Sequence, residues 1–271
     1  MKILEYYFQM TPGLKSKAQA RDLGWLFRYT LNGIDINEWQ YRDISEKDAA
    51  VLAEGVNRLA NDEPLAYILG AADFYWCKIN VSPDVLIPRP ETENLCDIIA
   101  TQTKETNCRM LDLCTGSGCI AIALKKAKPT WTVDAVDISP KAVELAKQNA
   151  SQNAVDVNIF ESDMWQNISA KYDIIVSNPP YIDSLGMANL PDSVRNYEPH
   201  LALFGGDDGL DYYRNIAANA PQFLNANGSL YLEVGDNQAG AVAELLRENF
   251  INIDIQKDLF GMERYVLARR K

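Results

Sequence analysis

At 271 residues the chain exceeds one average domain, so one large domain joined to a smaller one is the expected organisation. With 47% hydrophobic and 23% charged residues its composition is that of a globular protein, and no apolar run reaches the length that spans a membrane. The formal charge of −11 is spread over both parts, 8 Lys/Arg against 11 Asp/Glu in residues 1–75 and 18 against 26 in the rest, which argues against holding a phosphate backbone by bulk charge.

The first residues, Met1 to Tyr7, lack the long apolar core and small-residue cleavage site of a signal peptide, so a cytoplasmic location is expected. Two helical patterns follow, over 15–31 and 45–60. Ser45 with Asp48 three residues later resembles a capping box, and Leu52, Val56 and Leu59 then share one face. A small helical domain over 1–72 is expected, and because no catalytic cluster falls in it, its expected role is to grip a partner. Residues 73–90 read as a β-hairpin linker, with strand-like composition from Phe74 to Val81. A helix beginning near Glu91 is expected next, since Pro90 and the acids Glu91 and Glu93 suit a helix start. Arg89 either faces a cleft or pairs with one of those glutamates.

From Arg109 to the end strand and helix alternate, the pattern of a parallel sheet with helical crossovers. Strands are expected near 109–113, 131–136, 156–160, 172–177, 228–234, 252–257 and 264–269. The last two lie too close for a crossover and should pair antiparallel at or near the sheet edge. Five cysteines without a C-x-x-C pair, and a single histidine, His200, make a zinc site or a histidine-based triad unexpected.

Three stretches carry chemistry. Asp112-Leu113-Cys114-Thr115-Gly116-Ser117-Gly118 follows the first strand of this part and opens a helix; glycines admit a ligand close to the backbone, and a helix start offers free N–H donors. Asp137 ends the second strand, 21 residues beyond Gly116, where a carboxylate can accept from both hydroxyls of a ribose. Ser139-Pro140 then reads as an N-cap with proline at the first helical position. Together they indicate an adenosine-containing cofactor.

The third stretch, Asp173 to Tyr181, is a buried-looking strand that stops on Asn178-Pro179-Pro180-Tyr181, because neither proline can continue a ladder. The Asn178 carboxamide oxygen and the Pro179 carbonyl are two acceptors able to hold both hydrogens of a planar –NH₂, with Tyr181 as a flat wall. Hydride transfer has no use for such a pair, whereas methylation of an amino group does, so S-adenosylmethionine is favoured over a nicotinamide. Asp163, just after the third strand, is then placed to accept from the adenine amino group, with Met164 or Trp165 against the base.

On these residues the sequence resembles the release-factor glutamine methyltransferases, the HemK/PrmC family. The resemblance runs from Glu63-Pro64-Leu65 through Ile87-Pro88-Arg89-Pro90-Glu91-Thr92-Glu93, the glycine loop and Asn178-Pro179-Pro180-Tyr181 to Gly205-Gly206-Asp207-Asp208-Gly209-Leu210. It implies an α/β fold: a helical N-terminal domain followed, over 91–271, by a seven-stranded Rossmann-like class I methyltransferase domain. It implies cofactor contacts from Asp112, Cys114, Thr115, Gly116, Ser117 and Gly118, then from Asp137, Ile138, Asp163, Met164 and Asn178. The expected substrate contacts are Asn178, Pro179, Pro180, Tyr181, Arg89 and Glu91, the first two and Tyr181 being also the catalytic set. No metal is expected. The implied substrate is the glutamine of the Gly-Gly-Gln loop of class I peptide chain release factors, taken up by a monomer that contacts neither nucleic acid nor membrane. One departure is Cys114, where the family usually has glycine. The close backbone approach there must tolerate a Cβ, or the methionine end of the cofactor sits differently.

Two rival readings remain. Adenine-N6 methyltransferases acting on DNA or RNA share the Asn-Pro-Pro-Tyr string but not the segment 87–93, and a non-catalytic scaffold could have kept the fold without the cofactor.

Overall fold

The computed structural model describes residues 1–271 and falls into two compact units. The first comprises Met1–Ala71 together with Pro191–Tyr197, the second Ala72–Leu190 and Glu198–Lys271. No helix is long and apolar enough to cross a membrane.

The first unit is helical: α1 (Ile3–Met10), α2 (Lys17–Thr30), α3 (Glu46–Ala60) and the short α4 (Leu65–Leu69). Both expected helices start on a serine cap, with Ser16 accepting from the Gln19 amide at 3.1 Å and Ser45 from the Asp48 amide at 3.0 Å. The helix α1 escapes a reading from capping residues because Lys2 occupies its N-cap; the Glu5 carboxylate instead accepts from the Lys2 amide at 3.0 Å. Its Ile3 and Tyr6 join Leu23, Phe27, Trp39 and Leu52 in one buried cluster. The stretch 191–197 is tied to this unit by Tyr197, whose hydroxyl donates to the Asn61 carbonyl at 2.7 Å.

A hairpin pairs β1 (Ala71–Phe74) with β2 (Cys77–Asn80). The hairpin expected over 73–90 takes its turn within the strand-like stretch itself: Tyr75 and Trp76, both at positive φ, form the two-residue turn that matches strand twist. After α5 (Pro90–Gln102) come β3 (Arg109–Leu113), α6 (Cys119–Ala127), β4 (Thr132–Asp137), α7 (Pro140–Gln152), β5 (Asn158–Glu161) and β6 (Tyr172–Ser177). Two short helical stretches, α8 (Ser184–Ala188) and α9 (Asp192–Arg195, in the first unit), precede α10 (Asp211–Phe223), β7 (Leu224–Glu233), α11 (Ala239–Leu246), β8 (Phe250–Lys257) and β9 (Glu263–Arg270).

The seven strands β3–β9 stand in the order β5-β4-β3-β6-β7-β9-β8. The first five of that row are parallel, and β9 pairs antiparallel with both β7 and β8, so the close final pair does lie at the edge. The strand β7 begins earlier than its turn-like residues suggest. Leu224 pairs with Tyr172, and the register then jumps to Ser229 opposite Ile174, so Asn225–Gly228 form a bulge with Asn227 at positive φ.

The chain runs outward from β3 to β4 and β5, then returns to place β6 on the other side of β3. That reversal opens a crevice beyond the carboxyl ends of β3 and β6, where ligands of such sheets bind. Leu113 pairs with both Val136 and Ser177, so the residues that follow these three strands emerge side by side.

Candidate active site

The loop after β3 arches over a buried carboxylate. Asp112 Oδ2 accepts from the Thr115 hydroxyl at 2.5 Å and from the Ala121 amide at 3.2 Å, while its Oδ1, also buried, has no hydrogen-bond partner. Burial pushes the Asp112 carboxyl up to about 7, against the lowering effect of those two donors. Asp112 does not reach the crevice: it supports the loop from beneath. Gly118, at φ +81, ends the loop as the N-cap of α6 and packs against Ala146, so it too lies behind the crevice wall. Gly116, at φ +54, has open space where a Cβ would project.

Asp112 gives a stability test. Its folded-state pKa is raised, so the native chain holds a proton that the unfolded chain releases near 3.8; the associated stability is complete below that value and is lost as pH rises through about 7. Denaturant titrations of wild type and Asp112→Asn between about pH 4 and pH 8 should show the wild type losing ground with rising pH by at most about 4 kcal/mol. A difference that stays flat with pH would contradict it.

Asp137, at the end of β4, grips the same loop from the side. Its Oδ2 accepts from the Gly116 amide at 2.8 Å and its Oδ1 from the Ser139 amide at 2.9 Å, and burial raises its pKa despite these bonds. Each oxygen retains a lone pair, and the carboxylate borders a cavity of about 290 Å³. Into that cavity also open Cys114, Thr115, Gly116 and Ser117, then Ile138, Asp163 and Met164, and from the far side Arg89, Asn178 and Pro180. Cys114 stands at φ +64, the backbone region that favours the glycine usual there, with its Sγ 3.9 Å from Met164 Sδ. The Cβ is therefore accommodated without changing the loop's left-handed turn. Of the two candidate base-packing residues only Met164 borders the cavity; Trp165 stacks on Phe223 with centroids 4.9 Å apart and donates to Asn215.

Asn178 follows β6. Its Nδ2 donates to Thr92 Oγ1 at 3.2 Å, whereas its Oδ1 makes no hydrogen bond within the chain and is left for the cavity. Pro179 is buried and does not border the cavity with its own atoms, and Tyr181 and Glu91 open instead into a second, adjoining cavity of about 490 Å³ with Asp183, Asp236 and Arg264. Arg89 borders both, and its partner is neither Glu91 nor Glu93 but Glu198, at 2.5 Å.

The turn at 178–181 is held from behind by residues the sequence reading did not single out. Gln238 Nε2 donates to the Tyr181 carbonyl at 2.9 Å, while its Oε1 accepts from the Gly235 amide at 2.9 Å. Ile182 and Phe204 form a short parallel bridge that brings Gly205 against the turn. Thr92 also donates to Glu233 Oε2 at 2.7 Å, and burial pushes the Glu233 carboxyl up to about 7.

A glycine loop, a strand-end acid and a carboxamide oxygen thus face one cavity. A protein of Streptococcus pneumoniae named release factor glutamine methyltransferase is 40% identical over 261 residues, covering 94% of this chain and 93% of that protein. One of the same name from Enterococcus faecalis is 34% identical, covering 97% and 98%. The chain belongs to the release factor glutamine methyltransferases. Residues 92–190 of this family member also match the model described as Methyltransferase small domain. Among solved structures, the hMettl16 catalytic domain in complex with a 3'UTR hairpin superposes with a TM-score of 0.61 at 16% identity, covering 92% of this chain and 91% of that one. A methyltransferase from Pyrococcus furiosus gives 0.56 at 17%, covering 71% and 88%. At such identities these two report a shared fold.

Proposed function

We propose that this methyltransferase transfers a methyl group from S-adenosylmethionine to the side-chain amide nitrogen of the glutamine in the Gly-Gly-Gln loop of class I peptide chain release factors. The observation that carries the reading is the Asn178 carboxamide oxygen, free of internal partners, opening into the cavity bordered by the glycine loop and Asp137. The residues fit the cofactor: Gly116 leaves room for close approach, Asp137 keeps acceptor capacity for ribose hydroxyls, and Asp163 stands on the same wall. Bound there, the cofactor supplies an electrophilic methyl group on sulfonium.

The chain's part in the reaction is positional. A glutamine amide nitrogen is a poor nucleophile because its lone pair is delocalised into the carbonyl. Asn178 Oδ1 accepts one of its N–H bonds and the carbonyl of the buried Pro179 beside it takes the second once the substrate loop has entered, which aims the nitrogen and stabilises the positive charge that grows on it. Leu113, Val136, Ile138 and Pro180, which line the cavity, exclude water and so strengthen those bonds, with Tyr181 on the adjoining cavity behind them. The proton leaves afterwards to water. An acidic enzyme suits a basic partner better than a nucleic acid. The helical first unit, with no cluster of catalytic side chains, is assigned to gripping the body of the factor.

A mass spectrum of a release factor after incubation with enzyme and cofactor should show one added methyl on the Gly-Gly-Gln peptide. Label appearing in DNA or RNA instead would replace this reading with the adenine-methylating one. For the cofactor site, Asp137→Ala should weaken S-adenosylmethionine binding by about 1.5–3 kcal/mol, the usual worth of hydrogen bonds to a charged group. Calorimetry that finds an unchanged Kd would remove Asp137 from the site.

A further inference from the structure

Asn178 serves the reaction only in one orientation of its amide, since the flipped group would turn two N–H donors toward the two N–H donors of a glutamine side chain. Nothing in Asn178 itself chooses between the two orientations. The choice is made by a buried chain of two hydrogen bonds that joins Asn178 to Thr92, 86 residues before it in sequence, and Thr92 to Glu233, 141 residues beyond Thr92. We propose that Thr92 and Glu233 are positioning residues that lock the Asn178 amide with its oxygen toward the substrate nitrogen, an inference that rests on the functional reading above.

The direction of the chain follows from proton counting. With Glu233 ionised, as it is above about pH 7, the Thr92 hydroxyl gives its single proton to Glu233 Oε2 at 2.7 Å. Only a lone pair of Thr92 Oγ1 then remains to face Asn178, at 3.2 Å, and a lone pair can be met only by the –NH₂ side of the amide. A flip would set two acceptors against each other where water cannot intervene, because Thr92 is 2% and Glu233 1% exposed. Glu233 is a costly residue for this place: a buried carboxylate loses its hydration, and packing alone would be served by an apolar side chain. Arg264 and Arg89 offset part of that cost by favouring its charged form. The relay also gives a role to the stretch 87–93, which otherwise reads as a helix start. Thr92 lies in the first turn of α5, whose N-terminal proline and acids fix that turn, and Glu233 ends β7, two strand-ends from the glycine loop.

The test compares Thr92→Val, which keeps the shape and loses the hydroxyl, with Thr92→Ser, which keeps the hydroxyl, in the full-length enzyme acting on a whole release factor. Thr92→Val should lower kcat roughly 10–100-fold, the scale seen when a partner of a reacting group's ligand is removed, with KM for the factor and Kd for S-adenosylmethionine little changed. Thr92→Ser should restore most of the rate. Glu233→Met should match Thr92→Val, and the double variant should be no slower than either single one, because the two residues act as one unit. Wild-type kcat in Thr92→Val, a Thr92→Ser enzyme as slow as Thr92→Val, or additive losses in the double variant would each overturn the relay. Should Glu233→Met not fold, the valine–serine pair decides alone. A wild-type enzyme that leaves the release factor unmethylated, while binding S-adenosylmethionine, would overturn the functional reading and the relay with it.

Discussion

Asn178→Ala is expected to lower kcat by about 10²–10³, by analogy with removal of one hydrogen-bonding group from an oxyanion hole. The comparison is one of roles: in each case a fixed dipole meets charge that is small in the ground state and large in the transition state, so its loss falls on the rate more than on binding. Here the charge is positive and the dipole is the Asn178 carbonyl, which is spared any internal partner while its –NH₂ is tied to Thr92. The Pro179 carbonyl alone would remain to hold the substrate nitrogen. Cofactor affinity should change much less, since Asp137 and the loop 114–117 lie on neighbouring strand ends and are held by bonds that do not involve Asn178. Steady-state turnover at saturating release factor and S-adenosylmethionine checks this, and near-normal kcat would sink the mechanism.

What the sequence made legible is what rests on near neighbours in the chain. Ser45 caps α3, Ser139 caps α7 beside Pro140, Pro90 opens α5, and Asp137 ends β4 because the apolar run before it suits a central strand. Asn178 was identifiable because two prolines must end the strand before it. The residues that escaped notice depend on long-range pairing. Glu233 reads as the last letter of a strand, Gln238 as an ordinary polar residue before a helix and Glu198 as a surface acid; each becomes a site residue only once β7, β6 and α5 converge on one end of the sheet. Asp112 shows the reverse error. Its place at the head of a glycine loop suggested contact with the cofactor, but the strand carries it below the loop, where its bonds to Thr115 and Ala121 shape the turn that the ligand meets. Tyr181 and Glu91 likewise share the neighbourhood of Asn178 yet open into the adjoining cavity.

The motif Gly205-Gly206-Asp207-Asp208-Gly209-Leu210 was legible as a pattern without a purpose, and its geometry yields the second large effect. A Cβ on Gly205 would lie 2.7 Å from the Pro180 carbonyl oxygen, 2.7 Å from Tyr181 Cα and 3.0 Å from the Gly209 carbonyl oxygen. All three are backbone atoms, so no side chain can rotate aside; the turn that carries Asn178 and Pro179 must move. The Tyr181 carbonyl is pinned on its other side by Gln238, and the segment that follows is pinned by the bridge of Ile182 to Phe204, which leaves the displacement to fall on residues 178–180. A shift near 1 Å in a positioning group costs on the order of 10²-fold, so Gly205→Ala should lower kcat by about that factor. Binding of S-adenosylmethionine should persist, because the three atoms nearest that Cβ belong neither to the loop after β3 nor to Asp137. Gly240→Ala is the matched control, since a Cβ there meets nothing within 4 Å, and its turnover should equal that of the wild type. Unaltered turnover in Gly205→Ala, with a native circular-dichroism spectrum, would mean that the turn yields without cost and that its position does not limit the rate.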